Sequence, residues 1–197
     1  GGWRDFLGAP PGLLDGWNAI DIRTRIAAMS GLPVEFAKDT TAACAAELVM
    51  GQGRGIRTFL YLFIGTFIGG GLVIDGRLHS GPHGNAGAVG SIPLPAGNGH
   101  APRQLLHAAS GFVLEQRISE RGAPAAAAHD HRAFDAEVWP ITDRWLDEAS
   151  GAIASTVATS AALIDLEAVV VDGEIDRQLV RELMRRTQRD LDRIEWE

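Results

Sequence analysis

Between Arg57 and Gly90 the chain reads RTFLYLFIGTFIGGGLVIDGRLHSGPHGNAGAVG, and nine of its 24 glycines fall between Gly65 and Gly90. Glycine gathered between apolar runs marks backbone that turns sharply or approaches something closely. Gly65-Thr66-Phe67-Ile68-Gly69-Gly70-Gly71 offers bare amides and a hydroxyl, the groups that cradle a phosphate. The same glycines also suit a hairpin that merely packs closely, and the residues alone leave both readings open. The stretch is neither Gly-x-x-x-x-Gly-Lys-Ser/Thr nor a Gly-x-Gly-x-x-Gly opening a helix, so neither a P-loop nor a dinucleotide fold is indicated. Asp39 stands where an N-cap belongs, ahead of the alanine-rich AACAAELVM. His129-Asp130-His131 has no third ligand in prospect and reads as a solvated loop, as does His83. Cys44, the one cysteine, reads as a small buried apolar residue and not as a nucleophile.

The elements that must position these groups follow from periodicity. Residues 18–29 place Ile22, Ile26 and Met29 on one helical face, and Ser30-Gly31 with Pro33 stops that helix. Residues 33–37 suit a short strand, and a tightly packed helix follows Asp39. The apolar run Thr58 to Ile64 is a strand. A glycine loop, the strand Leu72-Val73-Ile74, an Asp75-Gly76 hairpin turn and a second glycine-rich loop come next. Residues 91–101 form a polar, proline-containing connection. Pro102 then suits the first turn of a helix running to about residue 121, with Leu105, Leu106, Ala109, Phe112 and Val113 inward. A long helix over about 141–164, a buried strand at Ala168–Val171 ending in Asp172-Gly173, and an amphipathic helix over about 176–195 complete an α/β pattern.

Composition narrows the class. At 197 residues with 46% apolar and 22% charged content, the chain can bury a real core. A net charge of −7 argues against a nucleic-acid-binding surface on this segment. A single cysteine precludes an internal disulfide or a cysteine zinc site and suits the cytoplasm. No apolar run approaches the roughly 18 residues of a membrane span. The first residues do not read as a signal peptide, and without an initial Met the chain reads as part of a longer protein.

Taken together, Asp39, the Gly65 stretch and Gly84 to Gly90 resemble the ROK family of repressors, open reading frames and sugar kinases. Members typically carry Asn-Asp-x-x-Ala-Ala at a strand-to-helix junction, and Lys38-Asp39-Thr40-Thr41-Ala42-Ala43 matches it. Gly65 to Gly71 is similar to the family's Gly-Thr-Gly-Ile-Gly-Gly-Gly. Gly84-Asn85-Ala86-Gly87-Ala88-Val89-Gly90-Ser91 is similar to its Gly-Asn-Ala-Gly-Glu-x-Gly-His. Leu14-Asp15-Gly16-Trp17-Asn18 and Leu32-Pro33-Val34 resemble flanking segments, and the likeness covers roughly residues 12–173. It implies an α/β, actin-like ATPase (ribonuclease H-like) fold, here incomplete. Residues 1–55 would be the remainder of the N-terminal lobe, and 56–197 an incomplete C-terminal lobe.

In the family's kinases the Asp matched by Asp39 is the general base toward a sugar hydroxyl, a role that suits a carboxylate in phosphoryl transfer. The resemblance further implies ligand contacts at Lys38, Asp39, Asn85, Ala88 and Ser91. It implies a nucleotide-phosphate loop at Gly65, Thr66, Gly69 and Gly70, and an adenosine side at Asp172 and Gly173. The departures cut against kinase chemistry. Lys38 replaces the sugar-binding Asn, Ala88 the Glu, Ser91 the His, and Phe67 a glycine of the loop. Pro95 to His100 contains none of the zinc cysteines, so no metal is expected, and the family's Asp-Gly-Gly-Thr loop is not in this sequence. A lost contact to a substrate hydroxyl costs orders of magnitude in discrimination. The expected function is therefore the sugar-sensing and dimerisation domain of a ROK-type transcriptional regulator rather than an enzyme. It would take a small sugar-like effector, assemble as a homodimer or tetramer, and meet DNA only through another domain. The alternatives are an ATP- and Mg-dependent sugar kinase, and a ligand-free scaffold.

Overall fold

Strict alternation in Phe59-Leu60-Tyr61-Leu62-Phe63-Ile64 sends successive side chains to opposite faces, and both faces are apolar. A strand of that kind needs a cover on each side. In the computed structural model, which describes residues 8, 10, 12, 13, 15–95 and 102–195, it receives both. Most of the irregular segment expected over residues 1–17, Leu14 of the lead-in to the first helix, and 96–101 of the proline-containing connection lie outside the described residues.

Two compact units divide the chain at Lys38 and Asp39. The first holds α1 (Asp15–Asn18) and α2 (Ile22–Ser30). The single helix expected over 18–29 is therefore interrupted before Ile22. Asp21 caps α2, accepting from the Thr24 amide at 3.0 Å and the Thr24 hydroxyl at 2.6 Å. That hydroxyl contact lowers the Asp21 carboxyl below its usual range. Gly31 ends α2 in the left-handed conformation, as a C-terminal glycine should. The expected inward face is instead solvent-facing: Ile26 and Met29 are 47% and 86% exposed. Residues 33–37 run without strand pairing, so the strand expected there does not form.

The second unit is built on a four-stranded sheet in the order β3 (Arg77–Leu78), β2 (Ile68–Ile74), β1 (Phe59–Ile64), β6 (Ala168–Gly173). β1 pairs antiparallel with β2 and parallel with β6. Asp75 and Gly76 turn β2 into β3 with φ of 51° and 72°, the doubly left-handed turn that matches strand twist. On one face, Phe59, Tyr61, Val73 and Val170 lie beneath Cys44 of α3 (Asp39–Met50). On the other, Leu60, Leu62, Ile64 and Leu72 meet Trp145, Leu146, Ile153, Leu179 and Leu183 from α6 (Trp139–Ile164) and α7 (Arg177–Leu191).

The segment between the glycine loops and α6 departs most from expectation. Pro102 does not open a helix. It precedes β5 (Arg103–Gln104), which pairs with β4 (Pro93–Leu94) in a small second sheet. The helix expected over 102–121 is two, α4 (Leu106–Ala109) and α5 (Gly111–Glu120), broken at extended Ser110. Leu114 and Ile118 take the core positions assigned to Phe112 and Val113, which are only partly buried. The segment around His129-Asp130-His131 keeps both histidines exposed, while Ala125–His129 and His131–Phe134 form 3-10 turns that bury Ala127, Ala128 and Ala133.

Candidate functional site

The glycine run of Gly69, Gly70 and Gly71 lies inside β2, so the loop is only Gly65-Thr66-Phe67. In a strand, three glycines cost conformational entropy, and close approach is the reason to keep them. A methyl group placed on Gly71 would overlap Cys44 Cβ, and one on Gly69 would sit 2.6 Å from Thr40 Cγ2. The first turns of α3 thus lie directly on the strand's backbone. Asp39 is the first residue of that helix and exposed. Its Oδ1 accepts from the adjacent Thr40 amide at 2.7 Å, not from an amide two or three residues on as an N-cap would.

The loop Gly84–Ser91 runs beside the first half of β2, where β3 does not reach. Gly87 (φ 73°) crosses so near that a methyl group on it would lie 2.6 Å from Gly71 Cα, and one on Gly90 would lie 2.6 Å from the Ile68 carbonyl oxygen. Val89 is the loop's buried anchor, while Asn85, Ala88 and Ser91 are exposed. The Ala88 amide donates to Asn85 O, and the Ser91 amide to Ala88 O, which fixes their spacing. The fold therefore gathers the start of α3, β2 from Ile68 to Gly71 and the Asn85–Ser91 segment around one strand.

Asp172 and Gly173 end β6 in register with Phe63 and Ile64, beside Gly65. The Glu174 amide continues the pairing by donating to the Ile64 carbonyl at 3.0 Å. A cleft of about 480 Å³ opens along β6, lined by Glu47, Gln52, Val170, Val171, Asp172, Gly173, Arg177, Val180 and Arg181. Asp39, the Gly65–Phe67 turn and the Asn85–Ser91 loop are not part of its lining. Lys38 belongs to the other compact unit and is exposed.

Pattern reading missed two residues that hold the turn. Ser110 is fully buried, and its hydroxyl accepts from the Ile68 amide at 3.0 Å. Its position inside an apparently continuous helical pattern gave no sign of this. Phe112 packs on Phe67 with ring centroids 6.2 Å apart.

Electrostatically the sheet is quiet beneath this surface. Burial, reinforced by the Asp172 and Glu47 charges, pushes the Tyr61 phenol up to about 12. Burial likewise pushes the Cys44 thiol up to about 11, so it stays protonated at neutral pH. Among the described residues, no three His, Cys, Asp or Glu side chains group closely enough to hold a metal ion. His129 instead contacts Glu115 at 2.7 Å.

Residues 12–194 match the model of the ROK family. The chain belongs to that family. Among curated relatives, this ROK chain is 35% identical over 152 residues to the "Bifunctional enzyme NanE/NanK" of Brucella melitensis, covering 77% of this chain and 28% of that one. Among solved structures, it is 27% identical to the ROK hexokinase of Thermus thermophilus, with a TM-score of 0.67, covering 90% and 64% of the two chains. A ROK family transcriptional regulator, described as a homologue of the E. coli MLC protein, shares the fold at 24% identity, with a TM-score of 0.64 over 87% of this chain and 46% of its own. The ROK chain thus spans less than two thirds of each of these proteins. Its architecture is the actin-like ATPase fold of the ROK sugar kinases.

Proposed function

We propose that this chain is the effector-sensing and dimerisation part of a ROK transcriptional regulator that binds a small sugar or sugar derivative. One observation carries the reading. The exposed Asn85–Ser91 loop is held against β2, yet presents a methyl at Ala88 and a short hydroxyl at Ser91. The scaffold for recognising a ligand is present, while the carboxylate and imidazole that a kinase would aim at sugar hydroxyls are not. Asp39, Asn85 and Ser91 are the proposed polar ligands, with Ala88 lining the site. Residues 1–55 belong to one lobe of the whole protein and 56–197 to the other. The protein works in the cytoplasm as a homodimer or tetramer, and a different part of it binds DNA. No helix among the described residues is long and apolar enough to cross a membrane, in keeping with that setting.

Thermal denaturation of the full-length protein across neutral hexoses, pentoses and N-acetylated amino sugars tests this. A true effector at about 100 times its Kd stabilises by about 2.7 kcal/mol, which raises Tm by roughly a few degrees in a protein longer than this chain. The same sugar changes affinity for operator DNA. A flat panel with sugar-independent DNA binding overturns the reading.

A sugar kinase is the second reading. The retained Asp39 and the 35% identity to a relative named as a bifunctional enzyme support it. Sugar-dependent ADP release by the full-length protein, abolished by Asp39→Asn, would establish it in place of the regulator.

A further inference from the structure

A backbone turn that takes a phosphate needs unspent amides, open space for the oxygens and no competing anion. At Gly65-Thr66-Phe67 the flanking amides are already engaged, and the other two conditions fail as well. The Gly111 and Phe112 amides, which open α5 and would otherwise face an anion, donate instead to the Gly65 and Thr66 carbonyls at 2.9 and 3.1 Å. The Ile68 amide is taken by the buried Ser110 hydroxyl. Space is equally short. Gly65 is buried, and a methyl group on it would lie 2.8 Å from Phe63 Cε1. The Phe67 ring is half-buried against Phe112. The competing anion is Glu174: its Oε2 would be 3.2 Å from the same methyl, and Asp172 lies one strand over, paired with Phe63. Polyphosphate oxygens brought to this turn would meet two aromatic rings and two carboxylates.

We propose that Phe67 and Glu174 close the Gly65–Phe67 turn to phosphate, so that the site selects an uncharged ligand against nucleotides and sugar phosphates. The inference deepens the regulator reading and rests on it. Phe67 supplies the steric barrier by anchoring on Phe112, and Glu174 supplies the repulsion. Together they make the response of the protein independent of nucleotide.

Isothermal titration of the full-length protein with Mg·ATP, and separately with inorganic pyrophosphate, is the test. The wild-type protein shows no saturable binding below about 1 mM, and Phe67→Gly/Glu174→Gln gains at least about tenfold in affinity for both probes. Glu174 is exposed, so the single Glu174→Lys change leaves the core untouched and by itself raises pyrophosphate affinity about threefold or more. Micromolar binding of Mg·ATP by the wild type overturns the proposal. So does a folded double variant with no gain, or a Glu174→Lys protein indistinguishable from wild type. These outcomes separate from those of the sugar panel. A flat panel removes the regulator reading while phosphate exclusion stands, and nucleotide binding removes the exclusion while sugar sensing stands.

Discussion

Gly71 is the residue on which the α3–sheet contact turns. Its Cα lies against Cys44, the one fully buried residue of α3, and Gly87 presses on it from the neighbouring loop. Gly71→Ala puts a methyl into the Cys44 contact, and overpacking of that kind costs about 1–3 kcal/mol. Urea denaturation of the variant reads the loss. The nature of the contact makes a sharper expectation possible. The overlap is with the Cys44 Cβ and, at 2.7 Å, its Sγ, so Cys44→Ala keeps the nearer offending atom and rescues only in part, whereas Cys44→Gly removes both. A double-mutant cycle between Gly71→Ala and Cys44→Gly therefore shows a coupling of order 1 kcal/mol, which two independent sites would not show. Glycine spacing in the sequence signalled a close approach at this point. It did not say whether the approaching group was a ligand or a helix, because a bare Cα serves both equally. The structure shows a helix above Gly69 and Gly71, and confines the true loop to Gly65–Phe67.

At the scale of elements, α6 and α7 were legible because each is long and repeats its apolar positions over several turns. The hairpin β4–β5 was not, since two-residue strands containing Pro93 leave no period to detect. The break at Ser110 was hidden for a different reason. Its cause is a hydrogen bond to Ile68, 42 positions away, and no local pattern encodes that. α6 and α7 share an apolar core, and a single buried cation ties their polar edges together. The Arg186 side chain is 8% exposed and contacts Asp143 at 2.6 Å, Asp147 at 2.8 Å and Glu182 at 2.8 Å, with its guanidinium 5.9 Å over the Trp139 ring. Burial works against the Arg186 charge, but hydrogen bonds to Glu182, Asp143 and Asp147 outweigh it and raise its pKa. Glu182 carries the pH dependence. Hydrogen bonding to Arg185 first, and to Arg186 next, holds its carboxyl down at about 2 against a burial effect in the opposite direction. A folded pKa below the unfolded one gives stability that is complete above the unfolded carboxylate range. That stability is lost as pH falls through the folded value. The urea midpoint of the wild-type protein should therefore decline from about pH 5 toward pH 2. Glu182→Gln should lower the midpoint at pH 7 and flatten the decline. A decline of unchanged steepness in the variant would assign the acid sensitivity to other carboxylates.

At the scale of the whole molecule, the two compact units meet at a peptide bond that chemistry can address. Lys38 is the only lysine in the sequence, and it is exposed at the end of a stretch, 32–38, with neither helix nor strand. Asp39, one residue on, begins a helix pinned to β2 through Thr40 and Cys44. Proteolysis needs several residues of accessible, irregular backbone, and that stretch offers them where α3 does not. Within these 197 residues a lysine-specific protease under native conditions should therefore cut once, after Lys38, leaving a fragment that begins at Asp39. Both apolar clusters, the one under α3 and the one under α6 and α7, lie wholly beyond that cut. The fragment should consequently keep a cooperative thermal transition and its far-ultraviolet helical signal, because among the described residues no core residue leaves with the first 38. Mass spectrometry identifies the cut, and circular dichroism follows the melt. Resistance of the native chain under conditions that cleave the denatured one would mean that the 32–38 stretch is protected. A fragment that melts without cooperativity would mean that the sheet draws stability from the preceding unit. Survival of the fragment would instead place the structural foundation of the Gly65–Phe67 turn and the Gly84–Ser91 loop entirely after Lys38, with β1 as its central strand.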